Sequence, residues 1–197
     1  MSAAAASVIG LAAAPAFAAS TWTVKPGGAV TGTAGKTTVT DATKKLSVTC
    51  TSSTIKASLR SGKGLPGAGL GTVSSMAFNN CAGGALSVTI TGTMPLNGVS
   101  FSAGVSSMTI TKIHGTITVS AVPGCSATID GTGATAKNGM VKAKFSNTAN
   151  TLTVSAAGGN LHIYNPSSAC GTTISNKDAV NFAGAYKFNT KQTITSP

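Results

Sequence analysis

Apolar and polar residues alternate with a period of two along most of the chain between Trp22 and Ile194, the spacing of strands that bury one face and solvate the other. Leu46, Val48 and Cys50 fall on one face and Ser47, Thr49 and Thr51 on the other. Leu86, Val88 and Ile90 alternate with Ser87, Thr89 and Thr91 in the same way, as do Ile117 and Val119 with Thr116, Thr118 and Ser120, and Leu152 and Val154 with Thr151, Thr153 and Ser155. These segments read as half-buried antiparallel strands. Turn signals separate them at Gly83-Gly84, Asn97-Gly98, Asn138-Gly139, Asn147 to Asn150 and Gly158-Gly159, residues that tolerate positive φ. The clearest product of this spacing is a meander over Met140–Ser146, Asn150–Ser155 and Asn160–Asn165. About a dozen strands of this kind predict an all-β fold, an antiparallel sandwich or barrel. The glycine-rich run Ser61–Gly71 reads as a loop, and Asp178–Ala185 offers one or two turns of helix at most.

Composition narrows the class. Of 197 residues, 53 are Ser or Thr and 24 are Gly, and only 9% are charged, which excludes coiled coils and solvated helical bundles built on Glu and Lys. A hydrophobic content of 42% together with regular periodicity excludes a disordered chain. Residues 1–18 are uncharged, Ala-rich and end in Ala16-Phe17-Ala18, the small-x-small pattern of signal-peptide cleavage. Lys25 is the first basic residue, so this reading puts the basic start of the signal upstream of Met1. Residues 19–197 then form a single secreted β domain. No later stretch approaches the apolar length of a membrane helix, and neither a lipobox cysteine nor a sortase-like tail predicts covalent anchoring. Export into an oxidising compartment makes Cys50, Cys81, Cys125 and Cys170 two disulfides. The sequential pairing, Cys50 with Cys81 and Cys125 with Cys170, is preferred because each bridge then staples a contiguous run of strands.

Candidate chemistry is sparse. The carboxylates are Asp41, Asp130 and Asp178, and each stands where turns and caps use Asp. There is no G-x-S-x-G elbow for a serine nucleophile and no C-x-x-C spacing for zinc, with His114 and His162 far from any paired cysteines. Gly62 to Gly67 matches G-x-G-x-x-G, but no helix follows to cradle a phosphate. The alternation around Leu161 and Ile163 puts His162 and Tyr164 on the outer face. With Trp22, they are the amphipathic rings best suited to gripping a sugar or peptide. The charge carries the strongest hint: 14 Lys or Arg against three acids give +11, a balance that attracts polyanions or keeps β surfaces apart. Lys44-Lys45, the same-face pair Lys142 and Lys144, and Lys187 with Lys191 are its local clusters. Few aromatics are interleaved with them, which argues against nucleic acid.

Several stretches together resemble uncharacterised secreted proteins of actinobacteria: Trp22-Thr23-Val24 with Pro26-Gly27-Gly28, Leu46 to Thr51, the glycine run from Ser61, Asn79-Asn80-Cys81, Gly124 to Thr128, Asn160 to Asn165, and Thr193 to Pro197. That resemblance implies export and a β fold with paired cysteines, and it brings no activity or cofactor. The expectation is a non-enzymatic extracellular or cell-envelope module, wall-associated through anionic polymers or other proteins, without metal or cofactor. The alternative is a carrier that holds an apolar small ligand in a β cavity.

Overall fold

A computed structural model gives residues 21–81, 86–119, 122–172 and 174–197, with the backbone alone for Leu86 and Ser87. The expected signal segment 1–18, the Gly83-Gly84 turn and Ser120 lie outside the described residues, as does the side chain of Leu86. The fold is all-β and antiparallel throughout its ladders. In chain order the strands are β1 (Thr21–Lys25), β2 (Gly28–Ala34), β3 (Thr37–Asp41), β4 (Leu46–Leu59) and β5 (Gly62–Pro66). β6 (Gly71–Cys81), β7 (Leu86–Ser102), β8 (Val105–Ile113), β9 (Gly115–Thr118) and β10 (Ser126–Asp130) follow. The last five are β11 (Gly139–Ser146), β12 (Thr151–Val154), β13 (His162–Tyr164), β14 (Val180–Phe188) and β15 (Thr193–Thr195).

Eight of these close a barrel in the order β7-β6-β4-β2-β14-β12-β11-β8, with β8 pairing back onto the second half of β7. Closure removes the exposed edges that a Thr-rich sheet would otherwise offer to other molecules. A barrel of this size is just wide enough to be filled by side chains or to hold one small ligand. Here Val30, Ile55, Leu59, Val73, Met94, Leu96, Met108, Val141, Phe145, Leu152, Val154 and Phe188 are all buried in one cluster. β4, β6, β7 and β14 are longer than the barrel. Their other halves carry β3, β9, β10 and β13 as an annex. The annex returns to β14 where Ile163 N–H donates to the Asp178 carbonyl (2.8 Å) and Val180 N–H to the Leu161 carbonyl (2.9 Å). The barrel ladders shift register where Ser74 of β6 is extra opposite Lys56/Ala57 of β4 and where Val99 of β7 is extra between Gly98 and Ser100, bulges that bend a strand and sharpen its twist.

A three-stranded sheet, β15-β1-β5, lies over the barrel. Trp22 opposes Leu65 and Val24 opposes Ile194 in its register, and all four are buried. Ser106 Oγ of β8 donates to the Ile194 carbonyl (2.9 Å) and ties this sheet to the barrel. The two disulfides are Cys50–Cys81 and Cys125–Cys170, the sequential pairing. The first joins directly opposed residues of β4 and β6.

Four local expectations are corrected. Ser61–Gly71 is not all loop: β5 occupies Gly62–Pro66 and pairs with β1. Glycine there supplies the backbone angles, φ +68° at Gly64, that a side-chain-bearing edge strand would resist. Asn97-Gly98 is not a turn but lies inside β7, where a Cβ on Gly98 would sit 2.5 Å from the Trp22 ring. Asp178–Ala185 is not helical: from Val180 it is β14, whose buried Val180 and Phe182 alternate at strand period. The third strand of the predicted meander, β13, pairs with β10 rather than β12, although β11 and β12 form the expected hairpin.

Candidate binding face

The three rings singled out from the sequence are not brought together. Trp22 is only 1% exposed, because its place in β1 turns it onto Gly98. Tyr164 is buried rather than outward, and its hydroxyl donates to the Gly131 carbonyl (2.9 Å). His162 is half-buried, and its Nδ1 faces the carbonyls of Asn160 (2.9 Å) and Gly131 (3.1 Å). The cause is common to both annex residues: the loop after β10 folds over the face that alternation assigns to solvent.

That loop is organised by Asp130, which has no exposed surface. Its carboxylate accepts from the N–H groups of Gly131 (2.6 Å), Lys137 (2.9 Å) and Asn138 (3.1 Å) and from His114 Nδ1 (2.8 Å). Burial pushes the Asp130 pKa up, but the bonds from Gly131, His114, Lys137 and Asn138 outweigh it and hold the carboxyl below its ordinary value. Since the carboxylate only accepts, His114 Nδ1 is the donor; likewise His162 Nδ1 must donate to its carbonyls. Asp178 repeats the pattern. Burial raises its pKa, while the Lys44 ammonium at 3.0 Å, the Ser175 N–H and the Asp41 side chain lower it further than burial lifts it. Asp41 accepts from the N–H of Lys44 (2.9 Å). All three acids are thus engaged in turns. Lys44–Asp178 is the one Lys-carboxylate ion pair among the described residues.

The basic residues are arranged differently. Lys142 and Lys144 project from β11 between the buried Val141, Ala143 and Phe145. In register, Lys144 lies between Thr153 of β12 and Ser107 of β8, and Lys142 opposes Thr109. Lys187 of β14 opposes Thr151. The outer wall formed by β14, β12, β11 and β8 is therefore hydroxyl rows carrying lysines. Asp41, Asp130 and Asp178 stand at the annex, on β3, on β10 and before β14.

A groove of about 590 Å³ crosses this wall at the β7–β8 seam, lined by Val99, Ser100, Ser107, Thr109, Lys142 and Lys144 among others. The register shift between Gly98 and Ser100 leaves Val99 without a partner on β8 and 62% exposed. A second depression of about 400 Å³ lies on the neighbouring β2–β4–β6 wall beside Lys56 and Asn189. The sequence pattern found Lys142 and Lys144 but missed Val99, because Asn97-Gly98 carries the signature of a turn and hides a bulge. Compared with protein-family models, with curated proteins and with solved structures, the chain has no match.

Proposed function

We propose that this chain is an exported, non-enzymatic envelope module whose basic barrel wall associates with anionic polymers of the cell surface. The observation that carries the reading is a wall with lysines and no acids: the lysines of β11 and β14 stand on hydroxyl rows, while Asp41, Asp130 and Asp178 are held in turns at the annex. A surface of one sign draws polyanions by long-range attraction and loses them to salt. The engaged carboxylates support a structural rather than a catalytic use of Asp130 and Asp178, since their oxygens accept from turn N–H groups. Two disulfides that staple β4 to β6 and the β10 end to Cys170 suit an oxidising compartment, and the cleavable signal read over residues 1–18 supplies the route there. Among the described residues no helix is long and apolar enough to cross a membrane.

Co-sedimentation of the oxidised chain with Gram-positive cell walls tests the reading. Binding is expected to walls that retain their anionic polymers, to be lost once those polymers are extracted, and to fall steeply with salt. Equal binding to extracted walls, or none to either, would overturn it.

A further inference from the structure

We infer that the groove at the β7–β8 seam is a subsite for a linear polyol phosphate chain, two successive phosphates resting on Lys142 and Lys144. This rests on the reading of the wall as a polyanion-binding face, and it adds the place and the chemical class. Lys142 and Lys144 are two residues apart on one face of β11, so their backbone positions are about 7 Å apart, the length of a short polyol phosphate repeat. The Lys142 stem lies against Gly158 beyond β12, where any added Cβ would meet its Cδ, Cε and Nζ at 2.9 Å, so its ammonium stands on the β12 side of the groove-lining Thr153 and Ser155. Ser107, Thr109, Thr153 and Ser155 line the space around the lysines and offer hydroxyls to the hydroxyls of a polyol. No aromatic ring lines the groove, so the platform on which a cyclic sugar would stack is missing from it, whereas an acyclic chain needs only hydrogen bonds and the methyl groups of Val99. Val99 is brought to the rim by the bulge, and no carboxylate is among the lining residues to repel a phosphate.

The test measures binding of a fluorescent oligo(glycerol phosphate) to the full oxidised chain and to two double variants that each remove two charges. One is Lys142→Ser with Lys144→Ser; the other is Lys25→Ser with Lys36→Ser, both exposed and away from the groove. The groove pair is expected to weaken binding about ten-fold and to lower the salt dependence, and the control pair to weaken it less than about two-fold. Val99→Asp, at an exposed rim position, is expected to weaken binding comparably with an unchanged melting temperature. Equal losses in the two double variants would overturn the subsite while leaving charge-driven association standing. Failure of the wild-type chain to bind the oligomer, while it still pellets with walls, would overturn the polyol phosphate as ligand. Equally tight binding to a polyglutamate of the same charge, or to anionic phospholipid vesicles, would overturn the chemical class. Absence of wall binding altogether would remove the broader reading with it.

Discussion

Asp130 is fully buried and accepts four hydrogen bonds that define the 131–138 loop. Because its pKa is lower in the folded chain than the ~3.9 of an unfolded one, the carboxylate contributes stability that is complete above that value and is lost as pH falls through the folded one. Asp178 acts in the same direction. Asp130→Asn turns an amide against N–H donors and is expected to cost about 3 kcal/mol; urea denaturation at neutral pH measures it, and an unchanged midpoint would refute the role. The same variant should flatten the acid limb of the stability profile. At alkaline pH, burial raises Tyr186 to about 12, only partly offset by the bond from Ser53. The neutral phenol therefore supports the fold below the unfolded value of about 10, and this support disappears as pH rises toward 12. Tyr186→Phe is expected to lose that dependence, followed by melting temperature between pH 9 and 12. Gly98→Ala would push a methyl into Trp22 and should cost about 2 kcal/mol, with a red shift of the tryptophan emission. None of these three residues can be singled out from alternation alone. Asp130 and Gly98 look like ordinary turn residues, and the burial of Tyr186 comes from its place in the ring.

At the scale of elements, period-two patterning was most legible where a strand faces one environment along its length. β11 and β12, with Val141, Ala143, Phe145, Leu152 and Val154 inward, are read directly. It failed where strands change neighbours or end. Leu46 continues the apolar alternation of β4 yet is 54% exposed, since it opposes Asp41 beside the turn of the β3–β4 hairpin, where the ladder ends. β14 was obscured because its first half pairs with β3 and its second with β12 and β2, so that Asn-Lys-Asp before it resembled a helix cap. β5 was hidden because glycine marks loops far more often than edge strands. The cysteines were legible because an even count, together with the export expected from residues 1–18, restricts them. Their bridges close loops of 31 and 45 residues, worth about 4 kcal/mol each in the chain-entropy model. Replacing Cys50 and Cys81 together by Ala should lower stability by that order; a loss under about 1 kcal/mol would show that the β4–β6 ladder needs no covalent staple.

For the whole molecule, the outer wall is the surface to which the account assigns recognition: β8, β11, β12 and β14 carry Lys112, Lys142, Lys144 and Lys187 and none of the three acids. Of a net charge of +11, the part on β8, β11, β12 and the second half of β14 is unopposed by any acid, whereas Lys44, Lys45, Lys137 and Lys177 share the annex with Asp41, Asp130 and Asp178. The sequence displayed the amount of charge and the Lys142–Lys144 pair. It could not display the separation, which depends on the annex collecting β3, β10 and the start of β14. The most direct test of this account is an amide chemical-shift map of the isotope-labelled, oxidised chain titrated with oligo(glycerol phosphate) at low salt. The account predicts shifts concentrated at Val99–Ser100, Ser107–Thr109, Lys142–Lys144 and Thr153–Ser155, reversed by added salt. Shifts concentrated at His114, the 131–138 loop and His162, or spread evenly over every lysine, would contradict it.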